Sequence, residues 1–95
     1  MLKIAVVEDQ QETRERLCSY IRQYAQEQGI QVEVLPFEDG AVIAEGYKPG
    51  FDIIFMDVEM PKLGGFGAAE RIREVDPDVV LVFVTNMAQY AIRGY

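Results

Sequence analysis

Polar residues of a particular kind close three apolar runs of this chain. Residues 2–7 lead into Glu8 and Asp9, residues 51–56 into Asp57, and residues 79–84 into Thr85. In an open parallel sheet the carboxyl ends of the strands form the ligand crevice, so side chains at those ends meet however far apart they lie in the sequence. Carboxylates gathered with a hydroxyl at such a place fit a divalent cation and a phosphoryl group. Magnesium takes oxygen ligands and usually keeps several waters beside one or two carboxylates and a phosphate. Neighbouring strands lie about 4.8 Å apart, so Asp9 and Asp57 are placed to reach one cation. Glu8 is placed to hold a metal-bound water, and Thr85 to donate to a phosphoryl oxygen. Each acid taken singly also reads as an ordinary turn or cap residue; their shared position is what points to a site.

The elements that must carry these residues follow from apolar spacing. Val, Ile and Leu crowd residues 2–7 without clean alternation, as in a strand covered on both faces. Thr13, Leu17, Tyr20, Ile21, Tyr24 and Gln28 form one stripe of a helix, which Gly29 stops. Residues 31–35 alternate and predict an edge strand closed by Pro36. Residues 39–47 predict a short helix with Asp39 as cap and Val42, Ile43 and Tyr47 inward, followed by a turn at 48–50. Residues 51–56 make a strongly apolar strand. A helix over about 66–75, with Phe66, Ala69, Ile72 and Val75 inward, halts before Pro77. Residues 79–84 give a last apolar strand, and 88–95 the opening turns of a helix.

Such alternation calls for an α/β fold, a doubly wound parallel sheet with right-handed crossovers and helices on both faces. The apolar strands 51–56 and 79–84 belong at the centre with the first, and 31–35 at an edge. The strand order is therefore 2-1-3-4, with the reversal between the first and third strands.

Composition narrows the chemistry. The 95 residues suffice for one small domain. With 9 basic against 16 acidic residues, the net charge of -7 disfavours nucleic-acid binding by this segment. Histidine is absent, which removes the usual zinc ligand sets and histidine bases. The single cysteine, Cys18, has no internal disulfide partner and reads as a packed helix residue. No run is long enough to span a membrane, and the start carries no signal-peptide pattern, so a cytoplasmic location is expected.

The segments Val7-Glu8-Asp9, then Ile53 through Asp57-Val58-Glu59-Met60-Pro61-Lys62-Leu63-Gly64-Gly65-Phe66, then Phe83-Val84-Thr85-Asn86, resemble a response-regulator receiver domain. The resemblance covers the whole chain, 1–95, and implies the flavodoxin-like receiver fold. It implies that Asp57 is the phosphoryl acceptor, taking the group from a phosphohistidine on a sensor histidine kinase or from a small phosphodonor. Asp9, Asp57 and the backbone carbonyl of Glu59 would bind Mg2+, with Glu8 in support through water, and Thr85 would contact the phosphoryl group. Glu59 and Met87 stand where receivers vary and where the access of hydrolytic water can be altered. The domain is expected to be a signalling module rather than an enzyme, assisting only its own phosphorylation and dephosphorylation. Residues 86–95 are similar to receivers that precede a LytTR-type DNA-binding domain, which implies transcription regulation by an effector beyond this segment.

The family's fifth strand, with its lysine, and its fifth helix are missing, so the domain is expected to be incomplete at its C-terminus. Lys3, Lys48 and Lys62 all precede Thr85, and Arg93 reads as a solvated helix residue. Strand 79–84 then becomes a bare apolar edge, and self-association through it, or by exchange of elements between copies, is expected. One alternative is a magnesium-dependent phosphohydrolase working through an aspartyl phosphate, for which Glu59 stands two residues after Asp57, where a general acid would lie. Against it, Met60-Pro61 and the glycines fit the receiver loop. A flavodoxin-like binding domain is disfavoured because residues 8–13 contain no glycine and present acids to any phosphate.

Overall fold

A computed structural model describes residues 1–57 and 65–84 of the chain. Strand β1 is Leu2–Val7, helix α1 Gln11–Gln28, β2 Val32–Phe37, α2 Gly40–Ala44, β3 Ile53–Asp57, α3 Gly65–Val75 and β4 Val80–Val84. The four strands are parallel and stand in the order β2-β1-β3-β4, as the apolar patterns predict. The expected fourth helix, 88–95, lies outside the described residues.

Strand pleat divides the apolar residues between two faces. Ala5, Val7, Ile54 and Met56 point to one side and pack with Ile43, Tyr47, Ala68, Ala69, Ile72 and Val79 from α2, α3 and the segments that follow them. On the other side α1 lies against β1 and β2.

Several expectations shift by a residue or two for identifiable reasons. β2 continues through Pro36 to Phe37. The N–H groups of Leu2 and Glu8 donate to the carbonyls of Gln31 and Phe37, so odd-numbered residues of β2 turn their backbone polar groups toward β1. Pro36, an even residue on this outer strand, has its nitrogen on the open side and costs the ladder nothing. β3 begins at Ile53 and takes in Asp57. Asp52, just before it, is tied to β1 by its N–H to the Lys3 carbonyl and by its carboxylate, which accepts from the Lys3 N–H.

The buried side of α1 is turned from the predicted stripe. Cys18 and Ala25 are buried, while Tyr20 is 61% and Tyr24 63% exposed. Consecutive helix residues are about 100° apart, so a stripe centred one residue too early faces a groove beside the sheet instead of the sheet itself. Burial raises the Cys18 thiol above its usual range against the opposing charges of Arg22 and Arg14. Gly29 does end α1, at φ 70, with its N–H returning to the Gln26 carbonyl.

Helix α2 is shorter than predicted. Asp39 caps it, accepting from the Val42 N–H at 3.0 Å, and Gly46 at φ 66 breaks the chain away after it. Val42 is exposed, and Tyr47 is buried from beyond the helix end. In α3, Ala68, Ala69 and Ile72 face inward, but Val75 is 51% exposed because the next inward position after Ile72 falls on Asp76. The side chain of Phe66 lies outside those described.

Candidate functional site

The ends of β1 and β3 bring three carboxylates together. Val7 pairs with Met56 across the two strands, which puts residues 8 and 57 at one level beyond them. One carboxylate oxygen each from Glu8, Asp9 and Asp57 lies within 4.8 Å of the others. Asp57 is 4% and Glu8 1% exposed, whereas Asp9 is open to solvent. The sequence therefore located all three acids of the cluster.

The turn after β1 is firmly held. The Glu8 N–H donates to the Phe37 carbonyl at 3.0 Å, and one Glu8 carboxylate oxygen accepts from the Gln10 N–H at 3.1 Å. The Glu8 carbonyl accepts from Arg14 Nη1 at 2.8 Å. Glu8 is thus also a turn acceptor, and Asp39, another acid just past a strand end, caps α2. Arg14 was not among the predicted site residues; it sits one turn into α1, and only the fold shows that its side chain folds back to the strand end.

The cluster offers oxygen donors alone, the set a hard divalent cation takes. Three negative groups this close repel one another, which favours a cation between them. Thr85 follows Val84, the β4 partner of Asp57 in register, and itself lies outside the described residues. So do Glu59, the loop 58–64 that contains it, and Met87.

Residues 4–95 match the family described as the response regulator receiver domain. The chain belongs to that family. It is a receiver domain of two-component signalling. Among curated relatives, the response regulator GacA of Pseudomonas aeruginosa is 34% identical over 87 residues, covering 90% of this chain and 38% of that protein. The sensory transduction protein LytT of Bacillus subtilis is 27% identical over 95 residues, covering 100% of this chain and 38% of that protein. The receiver thus spans well under half of either relative's length.

Among solved structures, the response regulator TrrA of Thermotoga maritima, in complex with Mg2+ and beryllofluoride, superposes with a TM-score of 0.77 at 25% identity, covering 95% of this chain and 74% of that one. TrrA is also solved in complex with the histidine kinase ThkA; there the TM-score is 0.66 at 25% identity, over 90% of this chain and 70% of that one. Among the described residues no helix is long and apolar enough to cross a membrane.

Proposed function

We propose that this receiver accepts a phosphoryl group on Asp57 with Mg2+ bound beside it, and thereby switches an output. The observation that carries this is the buried Asp57 carboxylate at the end of β3, with oxygens of Glu8 and Asp9 within 4.8 Å. An Asp57 oxygen attacks the phosphorus of a phosphohistidine; a P–O bond forms as the P–N bond breaks, and the imidazole leaves with a proton. Asp9, Asp57 and the carbonyl of Glu59 would hold the cation, and Glu8 would orient a water. When bound, Mg2+ neutralises charge on the transferring group. Thr85 donates to a phosphoryl oxygen once the group is in place, and its approach to Asp57 moves the segment 86–95.

The donor is a sensor histidine kinase, a reading supported by the TrrA–ThkA complex. The output is a LytTR-type DNA-binding domain, a reading supported by the likeness to LytT over the full chain. The reading also places the protein in the cytoplasm, as a signalling module without turnover of an external substrate. Residues 1–95 belong to the receiver domain, which associates with a second copy through the β4 edge.

The test is incubation with Mg2+ and acetyl phosphate, or with beryllofluoride, beside Asp57→Asn. Wild-type chain is expected to gain the mass of one phosphoryl group, or the spectral changes of beryllofluoride binding, and Asp57→Asn neither. Equal behaviour of the two removes the acceptor assignment.

A further inference from the structure

We infer that Arg14 is a positioning residue for the acidic pocket, fixing the turn that presents Asp9 by holding the carbonyl of Glu8; the inference rests on the cation site proposed above. Four backbone groups flank Asp9 in hydrogen bonds. The Glu8 N–H donates to Phe37, the Glu8 carbonyl accepts from Arg14 Nη1 at 2.8 Å, the Gln10 N–H donates to the Glu8 carboxylate, and the Gln10 carbonyl accepts from the Arg14 N–H at 2.9 Å. Arg14 supplies two of these four. The guanidinium bond is charge-assisted and half-buried, and it alone among the four joins the turn to a side chain of α1.

Asp9 is exposed, so the place of its carboxylate is set by the backbone on either side of it. The carbonyl that Arg14 holds belongs to the peptide joining Glu8 to Asp9. Fixing that plane fixes ψ of Glu8 and φ of Asp9 together. The Glu8 carboxylate is coupled to the same turn through the Gln10 N–H, so release of the plane loosens two of the three acids at once.

Charge and position predict opposite outcomes here. A cation near a carboxylate cluster lowers its affinity for a second cation, so loss of the Arg14 charge by itself would tighten Mg2+ binding. Loss of the hold on the turn would weaken it, as removal of the groups that orient metal ligands does.

The experiment compares the 95-residue chain with Arg14→Gln, Arg14→Lys and, as a control losing the same charge from an exposed position on α3, Arg71→Gln. Amide exchange is followed by NMR without metal, and Mg2+ binding by titration calorimetry. Arg14→Gln is expected to speed exchange of the Gln10 amide and to weaken Mg2+ about tenfold. Arg14→Lys, which keeps a charged donor, should recover part of both effects, and Arg71→Gln should change neither. Unaltered Gln10 exchange in Arg14→Gln, or equal or tighter Mg2+ binding, overturns the inference.

If wild type takes up no Mg2+, the cation reading falls, and Gln10 exchange still decides whether Arg14 holds the turn. If Arg14→Gln does not fold, the wild-type Arg14 guanidinium resonances decide: slowly exchanging Nη protons support the hold, and rapidly averaged ones overturn it.

Discussion

Asp9 sits in the open beside two buried acids, and that asymmetry has a measurable consequence. Without metal its charge faces those of Glu8 and Asp57 across less than 5 Å, a repulsion that folding must overcome. Asp9→Asn is therefore expected to raise the melting temperature of the metal-free protein by about 2–5 °C while abolishing the rise expected of wild type on adding Mg2+. Thermal melts with and without Mg2+ check both halves; a variant that melts below wild type without metal would mean that Asp9 serves the turn more than the cation. Glu8 combines the two roles, since its carboxylate both closes the turn and reaches the cluster.

At the scale of elements, the end of the sheet opposite the acids is braced by contacts between α2, α3 and β4. The Tyr47 hydroxyl, just beyond α2, donates to a carboxylate oxygen of Asp76, just beyond α3, at 2.8 Å. Arg73 Nη1 donates to the carbonyls of Pro77 and Val79, each at 2.7 Å, closing the turn into β4. Phe51 adds ring contacts to Phe37 and Tyr47, and Lys3 lies 5.0 Å over its ring. Burial, then the hydrogen bond to Asp76, push the Tyr47 phenol well above its usual range.

The unfolded chain ionises that phenol near pH 10, whereas the folded chain keeps its proton. The contribution of Tyr47 to stability is thus complete below about pH 10 and is lost as pH rises from there through the raised folded value. Urea unfolding should show wild type losing stability between about pH 10 and 12, and Tyr47→Phe losing less over the same interval. At pH 7 the variant should be weaker by about 1–2 kcal/mol, because Asp76 loses a buried donor. Parallel pH slopes for the two proteins would count against the brace.

At the scale of the whole molecule, the described residues leave one sheet face incompletely covered. A groove of about 320 Å³ beside α1 is lined by Leu2, Ile4, Tyr20, Tyr24, Ile53 and Phe55, among others. Ile53 and Phe55 pair in register with Val80 and Val82, so this apolar face continues onto β4, which has no second neighbour among the described residues. An apolar strand with an open hydrogen-bonding edge templates pairing with another chain. The net charge of -7 opposes that pairing at low salt. Light scattering should therefore show a mass that rises with protein concentration and with ionic strength. Val80→Lys, at a position 53% exposed, should return the monomer without loss of melting temperature. A single monomeric species at high concentration in salt would refute association through this edge.

The sequence by itself determined the types of the described elements, the order of the four strands and the acids that cluster at their ends. Those rest on local quantities: apolar period, the glycine and proline punctuation at Gly29 and Pro77, and the polar residues that end each strand. Its errors fall where a neighbouring element decides. The rotation of α1 about its axis follows from its seat over β1 and β2, which leaves Tyr20 and Tyr24 outward and Cys18 inward. Pro36 is tolerated because β2 is outermost among the described strands and the proline nitrogen faces away from β1, a fact of pairing that no local pattern holds. The reach of Arg14 back to Glu8 and of Tyr47 across to Asp76 likewise needed the packed molecule. Period specifies which residues share a stripe; only the arrangement of layers specifies what that stripe meets.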